Sequence, residues 1–489
     1  MLTLIFVMYC VALALLTVYG VNCHVLIHLF RRRLALHPAE DRALLESFYQ
    51  EHGLDDLPKV TSQLPIFNEL NVAERLLDAV AAFRYPEGRH EIQVLDDSTD
   101  ETSELVARKT EEMKRRGVLV EHVRRDNREG FKAGALKHGL TLARGDFVTV
   151  FDADFVPPED FLLKTIPYFM MDAKLGLVQT RWGHINGAHN LITSLQSIGI
   201  NGHFMVEQSA RNWNGLFMNF NGTAGVFRKE AIADAGNWRA DTLTEDLDLS
   251  YRMQFKGWTC RYLIDVVSPA EIPEDINSFK SQQFRWAKGS IQTALKLIPD
   301  ILKNRGSGFR RLQAVLHLTH YLVHPLMVYL AVAAPILLFS RTFNIPPLLF
   351  LFIGVMLVLS CTGPSRLYWT AESYLHGGPN KRLWLLPILV CFGCGLGINN
   401  SRAVLEGLWG SKGEFVRTPK KGNLEKLRYR LPVNPVFILE ILTGLWCLAG
   451  TLLYFSAHQY LIGHFLLIYA IGFLFVGSLS FWHLRRGSG

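Results

Sequence analysis

Long apolar runs fall into two groups with an ordinary soluble stretch between them, and this division constrains the fold more than any motif. Residues 2–30, "LTLIFVMYCVALALLTVYGVNCHVLIHLF", are 29 mostly apolar positions. The run exceeds the ~20 residues that a helix needs to cross hydrocarbon. It is also too long for a signal-peptide core, and no small-residue cleavage site follows it. Five more apolar stretches lie near 314–340, 344–363, 383–405, 436–456 and 459–482. Residues 31–312 are rich in charge and in Gly/Pro punctuation. A chain of 489 residues is too long for one core. The expected layout is a membrane helix at 1–30, a soluble domain at 31–280, an amphipathic interface region at 281–312 and a membrane region at 313–489.

Charge sets the expected topology. No charge precedes the first run, whereas Arg31, Arg32 and Arg33 follow it. The positive-inside rule then places the soluble domain in the cytosol. Segment 410–430, "GSKGEFVRTPKKGNLEKLRYR", carries seven basic residues against two acidic, and the chain ends in "HLRRGSG". Both belong on the cytosolic side, so one late stretch does not cross. Stretch 383–405 holds Pro387, Asn399, Asn400 and Arg402, poor company for hydrocarbon but suited to an interfacial or re-entrant segment, here 383–409. Five crossings result, in a plasma or inner membrane. The net charge of +7 gathers beside apolar runs, which suits an anionic lipid surface and not nucleic acid. The seven cysteines form no framework. Cys391 and Cys394 lack a second pair to complete a zinc site, and free thiols suit a reducing cytosol.

Within the soluble domain, strand-like and helix-like segments alternate: "EIQVLDD", "DETSELVARKTEEMKRR", "VLVEHV", "GFKAGALKHGLTLA" and "DFVTVFDAD". This is the signature of βαβ units and a parallel sheet, whose ligands bind beyond the carboxyl ends of the strands. Two acidic clusters fall at such ends: Asp96, Asp97 and Asp100, then Asp152 and Asp154. With "DFVTVFDAD" read as a strand, alternation along the extended chain points Asp152 and Asp154 to the same side. Hard oxygen ligands so placed suit Mg2+ or Mn2+ with substrate phosphates. A solvated turn before a helix start at "PPEDF" accounts for the same residues.

Further along stand Thr244-Glu245-Asp246, read equally as a helix cap, and Gln282-Gln283-Phe284-Arg285-Trp286. After the latter, Ile291, Leu295, Ile298 and Leu302 share a helical face while Lys288, Lys296 and Lys303 fall elsewhere, as in a helix lying on a membrane. In that reading Arg285 and Trp286 are interfacial anchors.

Taken in order, Asp97, Asp152-Ala153-Asp154, Thr244-Glu245-Asp246 and Gln282–Trp286 resemble the motifs of inverting family-2 membrane glycosyltransferases of the cellulose-synthase and cellulose-synthase-like (mannan/glucan synthase) type. "PIFNE", "REGFKAGAL", "VQTRW" and "FNGTAGVFR" add to the likeness. The resemblance implies an α/β, GT-A-like nucleotide-sugar domain, cytosolic and inserted between transmembrane helices. It implies Asp246 as the catalytic base and Glu69, Asp96, Asp97, Lys132, Asp152 and Arg285 as donor-binding residues. It implies Asp152 and Asp154 as ligands of Mg2+ or Mn2+, and Gln282, Trp286 and Glu245 as acceptor-binding residues. Phe415, Val416, Thr418 and Lys420 resemble a gating loop, with slightly altered spacing. Without the resemblance, Glu69 reads as a cap and Lys132 as a solvated lysine. Trp182, Trp213 and Phe220 are platform or core. His317, His320, Tyr321, His324 and Tyr329 line a passage or are satisfied by neighbouring helices.

The expected activity is transfer of a sugar from a nucleotide-sugar donor, UDP-glucose ahead of GDP-mannose, to a growing β-glycan that the protein also exports. A glycolipid acceptor with single-sugar transfer is the alternative, and a transporter with an inactive soluble domain is a further one. Expected partners are the donor, the glycan or glycolipid acceptor and membrane lipid, with no nucleic acid.

Overall fold

A computed structural model of the chain describes residues 2–304, 306–339, 347–410, 422 and 434–486. Phe415, Val416, Thr418 and Lys420 lie outside the described residues.

Seven strands form one sheet: β1 (Val60–Ile66), β2 (His90–Asp96), β3 (Val120–Arg124), β4 (Phe147–Val150), β5 (Leu175–His184), β6 (Gly225–Arg228) and β7 (Thr259–Ala270). Their order is β3-β2-β1-β4-β6-β5-β7. The β1–β2, β2–β3, β1–β4 and β5–β7 pairs are parallel, and β6 runs antiparallel between β4 and β5. Alternation sends neighbouring residues to opposite faces. Leu64 and Val94 therefore join one buried cluster, while Leu95, Val148 and Val150 join another. Both faces are covered, as a mostly parallel sheet requires. The two-way winding at β1 and β4 opens a crevice beyond their carboxyl ends, where α/β sheets bind ligands.

One local expectation changes. β4 ends at Val150, and Asp152–Phe155 is a turn closed by the Phe155 N–H donating to the Asp152 carbonyl at 3.1 Å. Strand alternation therefore does not orient Asp152 and Asp154. The turn is instead stitched to the end of β7: Val156 N–H donates to Pro269 O at 2.9 Å and Glu271 N–H to Asp154 O at 3.1 Å.

Among the described residues five helices are long and apolar enough to cross a membrane: Leu2–Arg33, His320–Leu338, Leu351–Leu375, Val436–Ser456 and Tyr460–Arg485. A sixth span exists only if Lys381–Gly395 and Gly397–Leu408, bent by 44°, count as one. The helix Ile276–Lys303 is amphipathic, but its buried stripe differs from the expected one. Ala287, Ile291, Ala294, Leu297 and Ile301 face inward, whereas Leu295 and Leu302 are exposed and Lys288 is buried. The sheet domain and the apolar helices pack against its buried face.

Apolar helices meet through small residues, since lipid offers no hydrophobic force to bring them together. A Cβ on Gly363 would stand 2.1 Å from the Gly20 carbonyl oxygen, and one on Gly20 would stand 2.4 Å from that of Leu359. Gly395 and Gly472 make the same kind of crossing. Gly363→Leu is expected to lower the thermal midpoint of the detergent-solubilised protein, overpacking costing about 1–3 kcal/mol or more. An unchanged midpoint would show that this crossing does not hold the bundle.

Candidate active site

Strand ends and helix starts converge on one cleft. β1 leads to Phe67 and Glu69, β2 to Asp97, β4 to Asp152 and Asp154, β5 to Trp182 and His184, and β7 to Glu271. Helix Phe131–Leu142 adds Lys132 and helix Glu245–Phe255 adds Glu245 and Asp246, each from its first turn. Helix Ile276–Lys303 adds Gln282, Arg285 and Trp286. Of the eleven base, donor-binding, metal-binding and acceptor-binding residues that the resemblance implies in the described segments, ten line this cleft: Glu69, Asp97, Lys132, Asp152, Asp154, Glu245, Asp246, Gln282, Arg285 and Trp286.

Asp96 does not line it. Next to Asp97 on the strand, it points the other way, is 1% exposed, and accepts from Ser98 N–H and pairs with His122 Nε2, each at 2.8 Å. It shapes the turn that presents Asp97. Phe220 is core, packed edge-on to Phe227. Trp213 stacks between Phe30 and His37, away from the cleft. Trp182 does reach the cleft, backed by Phe204 and Phe155. His317 pairs with the Tyr251 hydroxyl at 2.7 Å, His324 with Asn400 at 3.0 Å, and Tyr329 donates to Ile5 O at 3.0 Å. The polar atoms so paired are satisfied within the protein, whereas His324 keeps a buried Nδ1 without a hydrogen-bond partner.

Lys132 holds the centre. Its ammonium donates to Asp152 at 2.5 Å and to the Gly222 carbonyl at 2.8 Å. Gly222 has φ +85°, and a Cβ there would stand 3.0 Å from the Asp246 carboxylate. The Gly222 backbone therefore passes directly beneath the acid. Asp152 N–H donates to Thr223 Oγ1 at 2.9 Å, which ties the two acid-bearing loops together. Asp97 is gripped by the Arg125 guanidinium through both oxygens. Arg128 lies 3.3 Å over the Phe67 ring.

The sequence reading passed over Arg128, His184 and Glu271. Glu271 pairs with Arg75 at 3.1 Å and accepts from Gly422 N–H at 3.1 Å. Nothing in the motif pattern marks it, because it sits at the end of an outlying strand.

Electrostatics follow from this crowding. Seven carboxylates (Glu69, Asp97, Asp152, Asp154, Glu245, Asp246, Glu271) line the cleft against Arg128, Lys132 and Arg285. Burial, then the neighbouring Glu245 charge, pushes Asp246 up to about 7, with Lys132 opposing. Burial also raises Glu245. Burial works against the charge of Lys132, but Asp152 and Glu245 outweigh it and hold the ammonium above its ordinary value. Burial brings Arg285 down to about 10, resisted by Asp152, Glu69 and Glu245, so it stays cationic at neutral pH.

An excess of acids with too few cations fits a site that takes up a divalent ion. Among the described residues no three His, Cys, Asp or Glu side chains converge as a ready metal cage. Asp152 and Asp154 with donor phosphates would make a ligand set of the kind Mg2+ and Mn2+ adopt.

Comparison with known proteins is decisive here. Residues 147–362 match the family described as glycosyl transferase family group 2. The probable glucomannan 4-beta-mannosyltransferase 4 of Oryza sativa subsp. japonica is 34% identical over 433 residues, covering 83% of this chain and 75% of that protein. The chain belongs to the family-2 glycosyltransferases of the cellulose-synthase-like type. Glucomannan 4-beta-mannosyltransferase 7 of Arabidopsis thaliana is 32% identical over 467 residues, covering 88% of this glycosyltransferase and 81% of the relative. Among solved structures, a Pyrobaculum calidifontis mannosyltransferase in complex with GDP-Man and Mn2+ is similar at 20% identity and a TM-score of 0.49, covering 81% of this chain and 100% of that one. The glycosyltransferase is an inverting enzyme of its family.

Two outcomes are expected. A carboxylate takes a proton only when ionised, and Asp246 has its value raised to about 7. Turnover at saturating donor should therefore fall as pH drops below about 7 and level off above it; a profile flat across that range would count against Asp246 as base. Gly222→Ala places a methyl under that acid and forces an L-residue into left-handed backbone, so a loss of turnover of roughly tenfold or more is expected, measured as sugar incorporation.

Proposed function

We propose that this membrane glycosyltransferase transfers mannose from GDP-mannose to the growing end of a β-linked mannan or glucomannan. The observation that carries the reading is the group of relatives named 4-beta-mannosyltransferases, matched over more than 80% of this chain. It puts GDP-mannose ahead of UDP-glucose, the donor expected first from the sequence.

Asp246 serves as the general base. It takes the proton from the acceptor hydroxyl as that oxygen attacks the anomeric carbon, while the bond to the diphosphate breaks on the opposite face. Attack from the far side inverts the centre, so an α-linked donor yields a β-linkage. Lys132 and Arg285 face the diphosphate, where an ammonium and a planar guanidinium offset the growing charge. Asp154, with Asp152 beside it, would hold Mg2+ or Mn2+, which supplies neutralisation of the same diphosphate charge. Asp97 and Glu69 seat the nucleoside. Trp286 offers its flat apolar face to the acceptor sugar, with Gln282 and Glu245 beside it, and Trp182 extends the surface. The raised value of Asp246 supports the assignment of base, because a base poised near neutrality transfers protons most effectively.

The domain faces the cytosol in this reading, supported by Arg31, Arg32 and Arg33 after the first apolar helix. Export of the polymer is part of the proposal, supported by the packing of the Trp286-bearing helix against the membrane helices.

Purified protein given labelled GDP-mannose or UDP-glucose in turn should incorporate mannose, into a product long enough to resolve as a polymer. Incorporation from UDP-glucose alone would overturn the donor assignment, and a single-sugar lipid product would overturn polymer synthesis. Asp246→Asn is expected to cut turnover by roughly 10²–10⁴-fold while GDP binding persists. Chelation of divalent ions should abolish transfer, with activity returning on addition of Mn2+ or Mg2+.

A further inference from the structure

Two buried lysines bracket the segment that carries Gln282, Arg285 and Trp286. Lys280, two residues before Gln282, is 4% exposed, and its ammonium lies 2.7 and 2.8 Å from the two oxygens of Glu440, itself 0% exposed. Glu440 belongs to the membrane helix Val436–Ser456, and Ser480 of the last helix adds a 3.3 Å contact. Lys288, two residues after Trp286, is 3% exposed and pairs with Glu406 at 3.0 Å. Glu406 belongs to Gly397–Leu408, the second half of the bent pair.

Ionised groups at this depth are costly, and an apolar pair of similar volume packs at least as stably. What an ion pair adds is direction: two point contacts, eight residues apart, admit one axial position and one rotation of the helix. Backbone contacts agree with that register. Asn399 Nδ2 donates to the Lys280 carbonyl at 3.0 Å. A Cβ on Gly407 would stand 3.0 Å from the Lys288 carbonyl. On the opposite side, a Cβ on Gly289 would stand 2.6 Å from Thr244, and Thr293 bonds the Thr244 hydroxyl at 3.0 Å. The helix is thus keyed to the membrane bundle on one side and to the Thr244-Glu245-Asp246 turn on the other.

We propose that Lys280–Glu440 and Lys288–Glu406 are positioning pairs for sugar transfer, fixing the register of helix Ile276–Lys303 so that Arg285 and Trp286 meet Asp152 and Asp246. The proposal rests on the reading above that Arg285 serves the leaving diphosphate. Lys280 and Glu440 touch no substrate; they act through Arg285.

The test uses the full chain in detergent or nanodiscs, with turnover expressed per monodisperse protein. Glu440→Gln and Lys280→Met are each expected to lower kcat about tenfold while donor KM changes less than about threefold, the pattern of a lost transition-state contact. In an Arg285→Lys background the same substitutions should cause little further loss, since both changes remove one interaction. The reversed pair, Lys280→Glu with Glu440→Lys, is expected to recover kcat to within about threefold of the original, because the contact survives exchange of its ends. Unchanged kcat in the single variants would overturn the proposal, as would losses that multiply with Arg285→Lys. If the single variants fail to accumulate, the reversed pair decides: accumulation with kcat recovered supports it, and accumulation without turnover overturns it. Undiminished turnover in Arg285→Lys alone would sink the role given to Arg285, a result distinct from any of these.

Discussion

The site depends on one ammonium. Lys132 spans the Asp152 carboxylate and the Gly222 carbonyl, and so joins the loop after β4 to the loop that passes beneath Asp246. Without a cation there, two acid-bearing segments would approach each other with nothing between them. Lys132 is nonetheless outnumbered: burial first, and then the Glu245 charge, keep Asp246 raised against its pull. An enzyme that must bind a polyanionic donor with an acidic cleft needs its cations placed where the phosphates go and its acids where the proton goes. In the function proposed above, Lys132 and Arg285 take the first role and Asp246 the second.

The sheet accounts for how such distant residues meet. Residues 69, 97, 152, 184 and 271 span some two hundred positions, yet each stands at or just beyond the carboxyl end of a strand running in the same direction. β6, the antiparallel strand, permits this. It lets β4 and β5 point the same way while the chain returns between them, and it delivers the Asn221–Thr223 loop to the cleft.

Much of this was legible because the motifs coincide with element boundaries. Asp97, Lys132, Asp152 and Asp246 stand at strand ends or in first helical turns, where apolar periodicity stops and chemistry begins. What was illegible was direction. Asp96 and Asp97 look equivalent in sequence, and only the pleat sends one to His122 and the other to the cleft. Phe220 and Trp182 are both aromatic residues near motifs, but one is wholly buried and the other borders the site. The helix after Trp286 was read by its leucines. Its buried face turned out to include Lys288, because an acid from a distant segment satisfies it. Glu271 left no local sign, since its importance comes from the two segments that meet it.

The glycine crossing of the first helix bears on how the molecule is assembled. Gly20 is synthesised before the catalytic domain, and the backbone it nests against belongs to residues 359–363, after that domain. The ribosome completes the entire catalytic domain before that groove exists. The first helix must therefore wait in the bilayer without its mate, tolerated there because lipid solvates its side chains as readily as another helix does. Closure of this long circuit is then a late step in biogenesis.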